Sequence, residues 1–186
     1  MAVSGSSQCH PVRPTSTALS NTANDTVDIF SVASGAPVFQ FSLPVGLDPA
    51  SARFRTDGEL WVANWISDSV SVVDAATHRV VATLHPGDAP GDVVFAAGKA
   101  FVALSGAHDQ VVVYDRSTYA ELARLEVFGE HPRALAASAD GREVYLVVLN
   151  SGNRTTTVGA QRVAAGGGMP PPNPAKIGRA SCRERV

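Results

Sequence analysis

No apolar run in the 186-residue sequence approaches the eighteen or so residues of a membrane-spanning helix, which excludes a membrane-spanning protein. Charge is nearly balanced, at -2, so nothing electrostatic points to nucleic acid or an anionic lipid surface as partner. Cysteine is almost absent, with two in the whole chain. The first of them, in Cys9-His10, lacks the upstream cysteine of a haem-attaching C-x-x-C-H. Residues 1–15 also lack the basic and apolar regions of a signal peptide. The chain does have 16 glycines and 12 prolines, above average but short of a collagen-like or disordered composition. With 45% hydrophobic residues there is enough to bury the core of one domain or slightly more.

The last eleven residues, Lys176 to Val186, do not match the rest. They hold four of the 15 basic residues and one of the two cysteines, Cys182. The string Lys-Ile-Gly-Arg-Ala-Ser-Cys-Arg-Glu-Arg-Val resembles the in-frame translation of a short-read sequencing adapter. It is set aside from fold reasoning as a non-native tail. On that reading the native net charge is -5 and the protein continues beyond about Ala175.

Between the ends the sequence repeats every 42 residues or so. Three G-x-x-P segments begin at Gly46, Gly87 and Gly129, at spacings of 41 and 42. After each proline a short apolar stretch ends in Arg53-Phe54, Val94-Phe95 or Ala136-Ala137. A turn with Gly58, Gly98 or Gly141 follows, twice as Asp-Gly, a strong hairpin signal. The next runs are Leu60 to Asn64, Ala100 to Leu104 and Val144 to Val148, each with an aromatic residue at the same place. Then come Ser69 to Asp74 and Gln110 to Asp115, and finally Arg79 to Leu84 and Glu121 to Leu125. Asn21, Val27 and Phe30 each stand 43 residues before Asn64, Val70 and Val73, so a partial copy precedes the first G-x-x-P. β-branched residues dominate and several runs alternate apolar with polar, as half-buried strands do. Helical spacing is approached only from Ser117 to Leu125, which is too short. Four short strands per unit of about 42 residues is the period of a propeller blade. The fold expected is therefore all-β: an incomplete β-propeller of four-stranded antiparallel blades, about three to four of an expected seven.

The segments Gly46-x-x-Pro49, Asp57-Gly58, Trp61-Val62-Ala63-Asn64, Ser69 to Asp74 and Val80 to Leu84 together resemble one unit of the YVTN-type β-propeller repeat family. The resemblance spans residues 17–158 and is best from Pro49 to Leu84. Later copies drift: Leu104 and Val148 stand where the motif has Asn, and Ala97-Gly98 has lost its Asp. It implies a module of a larger, exported bacterial protein, periplasmic or extracellular, with seven blades in all. Seven units would need roughly 290 residues, so missing blades of the full-length chain are among its expected partners. An incomplete propeller leaves blade faces and edges open, so residues 1–175 alone are expected to be aggregation-prone or marginally folded. The organisation expected is an irregular segment 1–16, blades over 17–158, a Gly/Pro-rich stretch 159–175, and the tail 176–186. The stretch reads equally as a long loop insertion or a plain linker.

In the blade order, G-x-x-P links and the loops between second and third strands share one face. Asp48, Asn64, Asp68, Asp88, His108, Asp109 and His131 should cluster there, where a rigid scaffold commonly carries binding residues. Arg53, Asp92 and Arg133, just after the prolines, are candidates for the central channel. Each can equally be a group that satisfies turn backbone or meets water.

Catalytic and metal motifs fail on spacing. His108, Asp109 and His131 lack the repeated short separation of a zinc site. Ser105 lacks the first glycine of G-x-S-x-G, and Gly166-Gly167-Gly168 lacks the Gly-Lys-Ser/Thr of a phosphate loop. Asp57 and Asp140 read as turn residues, and Asp74 and Asp115 as turn or capping acceptors. Trp61, Phe101 and Tyr145 occupy one repeat position and read as core filling the same gap between blades. The sequence thus implies no cofactor and no metal. It favours a non-catalytic binding or scaffold platform for an unknown ligand or protein. The alternatives are a piece of a quinoprotein-like or cytochrome c-associated oxidoreductase, and a surface-layer or cell-wall structural protein.

Overall fold

The computed structural model describes residues 16–150, and these form thirteen strands with no helix among them. The expectations placed on 1–15 and 151–186, including the glycine/proline stretch and the tail, lie outside the described residues. The strands fall into four antiparallel sheets in sequence order. Blade 1 has three strands: β1 (Ser16–Asn21), β2 (Thr26–Ser31) and β3 (Val38–Pro44). Blade 2 has four: β4 (Pro49–Thr56), β5 (Glu59–Asn64), β6 (Ser69–Asp74) and β7 (Arg79–Leu84). Blade 3 repeats them as β8 (Pro90–Ala96), β9 (Lys99–Ser105), β10 (Asp109–Asp115) and β11 (Glu121–Glu126). Blade 4 contributes β12 (Glu130–Ala137) and β13 (Val144–Asn150).

Every strand pairs with its sequence neighbour, which short turns and local registers permit, and blades meet face to face. Residues opposite each other in an antiparallel pair share a face, so each blade has a leading face toward its predecessor and a trailing face toward its successor. Between blades 1 and 2, Val27 and Ile29 pack on Leu60, Val62 and Val73. Between blades 2 and 3, Trp61, Ala63, Val70 and Val72 pack on Val93, Ala100, Val102, Leu104, Val112 and Tyr114. This explains why β5 and β6 are buried almost throughout: both faces are covered, and the alternation seen in edge strands disappears.

The repeated aromatic position shows the same logic. Trp61 is fully buried against blade 3, with Phe95 and Tyr119 edge-on to its ring. Phe101 is half-buried and lines a groove with Leu135, Val144 and Leu146 of blade 4, and Tyr145 is 56% exposed. The polar end of each ring is also held in a repeated way. Trp61 Nε1 donates to Glu59 at 2.7 Å and the Tyr145 hydroxyl to Glu143 at 2.6 Å, an acid two residues earlier. Phe101 has no donor, and Lys99 stands at that place.

Turn chemistry sets the strand ends. Asp74 Oδ1 accepts from the Ala76 and Thr77 amides, and Asp115 Oδ1 from those of Ser117 and Thr118, closing equivalent turns. These bonds hold both carboxyls below the usual aspartate range. Ala97 and Gly98 take the paired positive φ values (47° and 77°) of a two-residue hairpin turn. Gly58, in the Asp-Gly pair that promised that geometry, stays outside the left-handed region. The turn signal therefore located the hairpin but not its turn type.

Candidate functional site

The loops β1–β2 (22–25), β5–β6 (65–68) and β9–β10 (106–108), which occupy equivalent repeat places, leave the blades at the same end as the G-x-x-P links, because antiparallel strands reverse direction at each step. A repeated carboxylate contact ties the two kinds of loop together. Asp25 Oδ1 accepts from the Asp48 amide at 2.8 Å, Asp68 Oδ1 from that of Ala89 at 2.9 Å, and Asp109 Oδ1 from that of His131 at 3.0 Å. The three donating residues are the ones just before the prolines, all left-handed with φ of 54°, 50° and 58°. Each loop aspartate thus fixes the link into the next blade. Around Asp48 the backbone is knitted further, with Trp65 and Ile66 amides donating to the Asp48 and Leu47 carbonyls. The glycines that open the links serve different needs. Gly87 and Gly129 have φ of 127° and 129°, which L side chains rarely adopt. Gly46 is instead crowded, since a Cβ there would lie 2.3 Å from Ser67 Oγ.

The remaining loop-face candidates are placed as follows. Asn64 is fully buried, its Nδ2 donating to Ser69 and Ser71 Oγ at 3.1 and 3.0 Å. Asp88 is exposed and accepts from the Ala107 amide at 2.7 Å. His108, in the 106–108 loop, and His131, the second residue of β12, are both exposed. Among the described residues no group of three or more His, Cys, Asp or Glu is arranged to hold a metal ion.

Of the candidates that follow the prolines, Arg53 is the fifth residue of β4, Asp92 the third of β8 and Arg133 the fourth of β12. Arg53 clasps Asp92 across the blade 2–blade 3 boundary, Nε to Oδ1 and Nη2 to Oδ2, both at 3.1 Å. The arginine side chain is 51% exposed and the aspartate only 3%. The hydrogen bond to Asp92 raises the already high pKa of Arg53. Asp92 also accepts from the Leu135 amide of blade 4 at 2.9 Å, so one carboxylate joins three blades. Each inner strand carries an irregularity just after its proline, between Pro49/Ser51, Pro90/Asp92 and Pro132/Ala134. Proline cannot donate to the ladder, and bulges re-aim the side chain beside it. At the third such place Arg133 sits over the Trp65 ring, 5.1 Å from its centroid. The same indole lies against Gly91, the bulge residue of blade 3, where a Cβ would come within 3.3 Å of it.

Sequence reasoning overlooked the exposed apolar members of this face, Leu47, Ile66 and Phe128, the last 84% exposed, and the half-buried Trp65. Their signal was present as large hydrophobic residues inside otherwise polar loops. Elsewhere, a groove of about 350 Å³ at the opposite end includes Ile29, Phe41 and His78, with Phe41 and His78 stacked at 3.7 Å. A second groove, of about 480 Å³ between blades 3 and 4, is apolar and lined by Phe101, Val111, Leu125, Leu135, Val144 and Leu146. No candidate residue lines either.

No protein-family model matches the chain, and no curated protein matches it by sequence. Solved structures do. The chain is similar to Kuenenia stuttgartiensis hydrazine synthase at 23% identity and a TM-score of 0.68, over 75% of this chain and 40% of that one. A chain of a mitotic checkpoint complex aligns at 14% identity and a TM-score of 0.59, over 67% of this chain and 41% of that one. Dihydro-heme d1 dehydrogenase NirN aligns at 18% identity and 0.51, over 60% and 25%. The chain therefore spans less than half the length of each of these neighbours. At such identities the likeness concerns fold alone, and these neighbours are propeller-type folds. Thirteen strands in successive antiparallel blades, together with these likenesses, make the described residues part of an incomplete β-propeller.

Proposed function

We propose that the chain is a non-catalytic binding platform that recognises a protein partner through its loop face. It would belong to a larger propeller of the YVTN repeat type, exported to the periplasm or cell exterior. The observation that carries the reading is the combination of fixed backbone and exposed anchors on one face. Three carboxylate–amide contacts hold the loops still, while Leu47, Ile66 and Phe128 stand in solvent on the same face as the half-buried Trp65 under Arg133. Aromatic side chains and arginine on preorganised backbone are what protein interfaces use as anchors, because little entropy is lost on binding. Two structural neighbours are named for redox chemistry, hydrazine synthase and a dehydrogenase, but their likeness reaches only the fold.

The test is to pan a random-peptide display library against the full chain and map the peptides recovered. Platform use predicts that they compete with one another and lose at least about tenfold in affinity against Trp65→Ala or Phe128→Ser. The control variant His78→Ala, at the opposite end, should bind normally. Peptides indifferent to the loop-face variants would count against the reading. A saturable Soret shift on hemin titration would favour the oxidoreductase alternative.

A further inference from the structure

The loops 22–25, 65–68 and 106–108 and the links 45–48, 85–89 and 127–129 contain no lysine or arginine; their titratable side chains are four aspartates, His85 and His108. The four aspartates gather around the apolar pair of blade 2. Leu47 and Ile66 are 51% and 63% exposed and are joined by a bond from the Ile66 amide to the Leu47 carbonyl. Asp48 follows Leu47, and Asp25 holds the Asp48 amide. Asp68 stands two residues after Ile66 and holds the Ala89 amide, next to Asp88. Asp25, Asp68 and Asp88 each commit one oxygen to a backbone amide. Asp25 Oδ2, Asp68 Oδ2, Asp88 Oδ1 and the whole Asp48 carboxylate accept no hydrogen bond among the described residues. The arginines near this end are committed elsewhere. Arg53 is held by Asp92, Arg124 by Glu121 and the Pro86 carbonyl, and Arg133 lies over Trp65. The opposite end, by contrast, sets Arg79, Lys99, Arg116 and Arg142 among its carboxylates.

We propose that the partner taken by the loop face is a basic protein segment, an extended stretch with lysine or arginine on either side of a large apolar side chain. This rests on the platform reading and names the chemistry of its partner. The apolar side chain would seat on Leu47 and Ile66, and the flanking cations would meet the carboxylate oxygens left open around them. Charge of one sign at the rim of an apolar patch steers a partner of opposite sign and rejects one of like sign. A single metal ion does not match the arrangement, because among the described residues no three His, Cys, Asp or Glu side chains are placed to hold one. Carboxylates spread around a patch instead match cations spread along a chain.

The experiment takes the peptides that the full chain recovers from a random-peptide display library and sequences those that Trp65→Ala weakens. They should be enriched in lysine and arginine over the unselected library. Their affinity, read by fluorescence anisotropy, should fall about tenfold between about 0.05 and 0.5 M NaCl, because exposed charges are screened. The triple variant Asp48→Asn, Asp68→Asn, Asp88→Asn keeps the acceptors that hold the backbone and removes the charge. It should bind them about tenfold more weakly or worse. Asp140→Asn, which removes the same charge at the opposite end, should bind as the wild type does. Where circular dichroism shows the triple variant unfolded, peptide composition and salt dependence decide. Trp65-dependent peptides that are neutral or acidic, or that bind equally at both salt concentrations, overturn the proposal and leave the platform reading standing. Peptides all indifferent to Trp65→Ala overturn both.

Discussion

Removing the Asp92 carboxylate is the most searching perturbation of this architecture. Its two oxygens serve Arg53 on one side and the Leu135 amide on the other, in an almost wholly buried position. In Asp92→Ala the Leu135 N–H loses its partner inside the protein, which costs about 1–3 kcal/mol. The Arg53 contribution is smaller, because half of that side chain meets water and exposed pairs contribute at most about 1 kcal/mol. The sum is about 3 kcal/mol, against about 1 for Arg53→Ala, which leaves Asp92 with its backbone donors. Asp92→Asn keeps one acceptor and should fall between them. Urea unfolding of the full chain, followed by tryptophan fluorescence, reads these values directly, since Trp61 lies in the blade 2–blade 3 interface. With a slope of about 1–3 kcal/mol per molar, Asp92→Ala should lower the midpoint by about 1–3 M. If Arg53→Ala costs as much as Asp92→Ala, the salt bridge rather than the three-blade junction carries the stability, and the reasoning fails.

Three further outcomes follow from other contacts. Trp61→Ala should cost about 3–5 kcal/mol and Tyr145→Ala less than about 0.5, although the two share a repeat position; thermal denaturation distinguishes them. Asp68→Ala should cost about 1–2 kcal/mol and speed hydrogen exchange at the Ala89 amide, while Asp68→Asn, which keeps an acceptor, should do much less. Asp74 and Asp115 have folded pKa values below their unfolded ones, so their contribution is full above about pH 4 and is lost as pH falls through the folded values. Stability measured from pH 6 to pH 2 should therefore decline less steeply in the double variant Asp74→Asn, Asp115→Asn than in the wild type.

The blades were legible because their signals are local. G-x-x-P at regular spacing, aromatics at one repeat place and β-branched runs all act within a few residues of their own strand, and the sheets formed accordingly. Contacts between blades were much less so. That Arg53 meets Asp92, 39 residues away, depends on how two faces stack, which no pattern within either strand reports. The loop aspartates are an intermediate case. Asp25, Asp68 and Asp109 recur at spacings of 43 and 41, and repetition already marked the aromatics as structural. Applied to carboxylates, the same argument would have paired them with backbone amides. The residues that stand out as anchors, Trp65, Ile66 and Phe128, do not repeat, so periodicity is silent about them.

The loop aspartate sits at the last place before the third strand or at its first residue, after loops of four, four and three residues. In the 22–25 loop the contacts to the link are made by Asp25 itself, so the stretch from Thr22 to Asn24 can change length without moving the strand or the link Asp25 secures. That makes this stretch a natural insertion point for engineering. A foreign recognition peptide spliced there would be displayed with its downstream end clamped by Asp25, and the spacing of the blades would be left as it is.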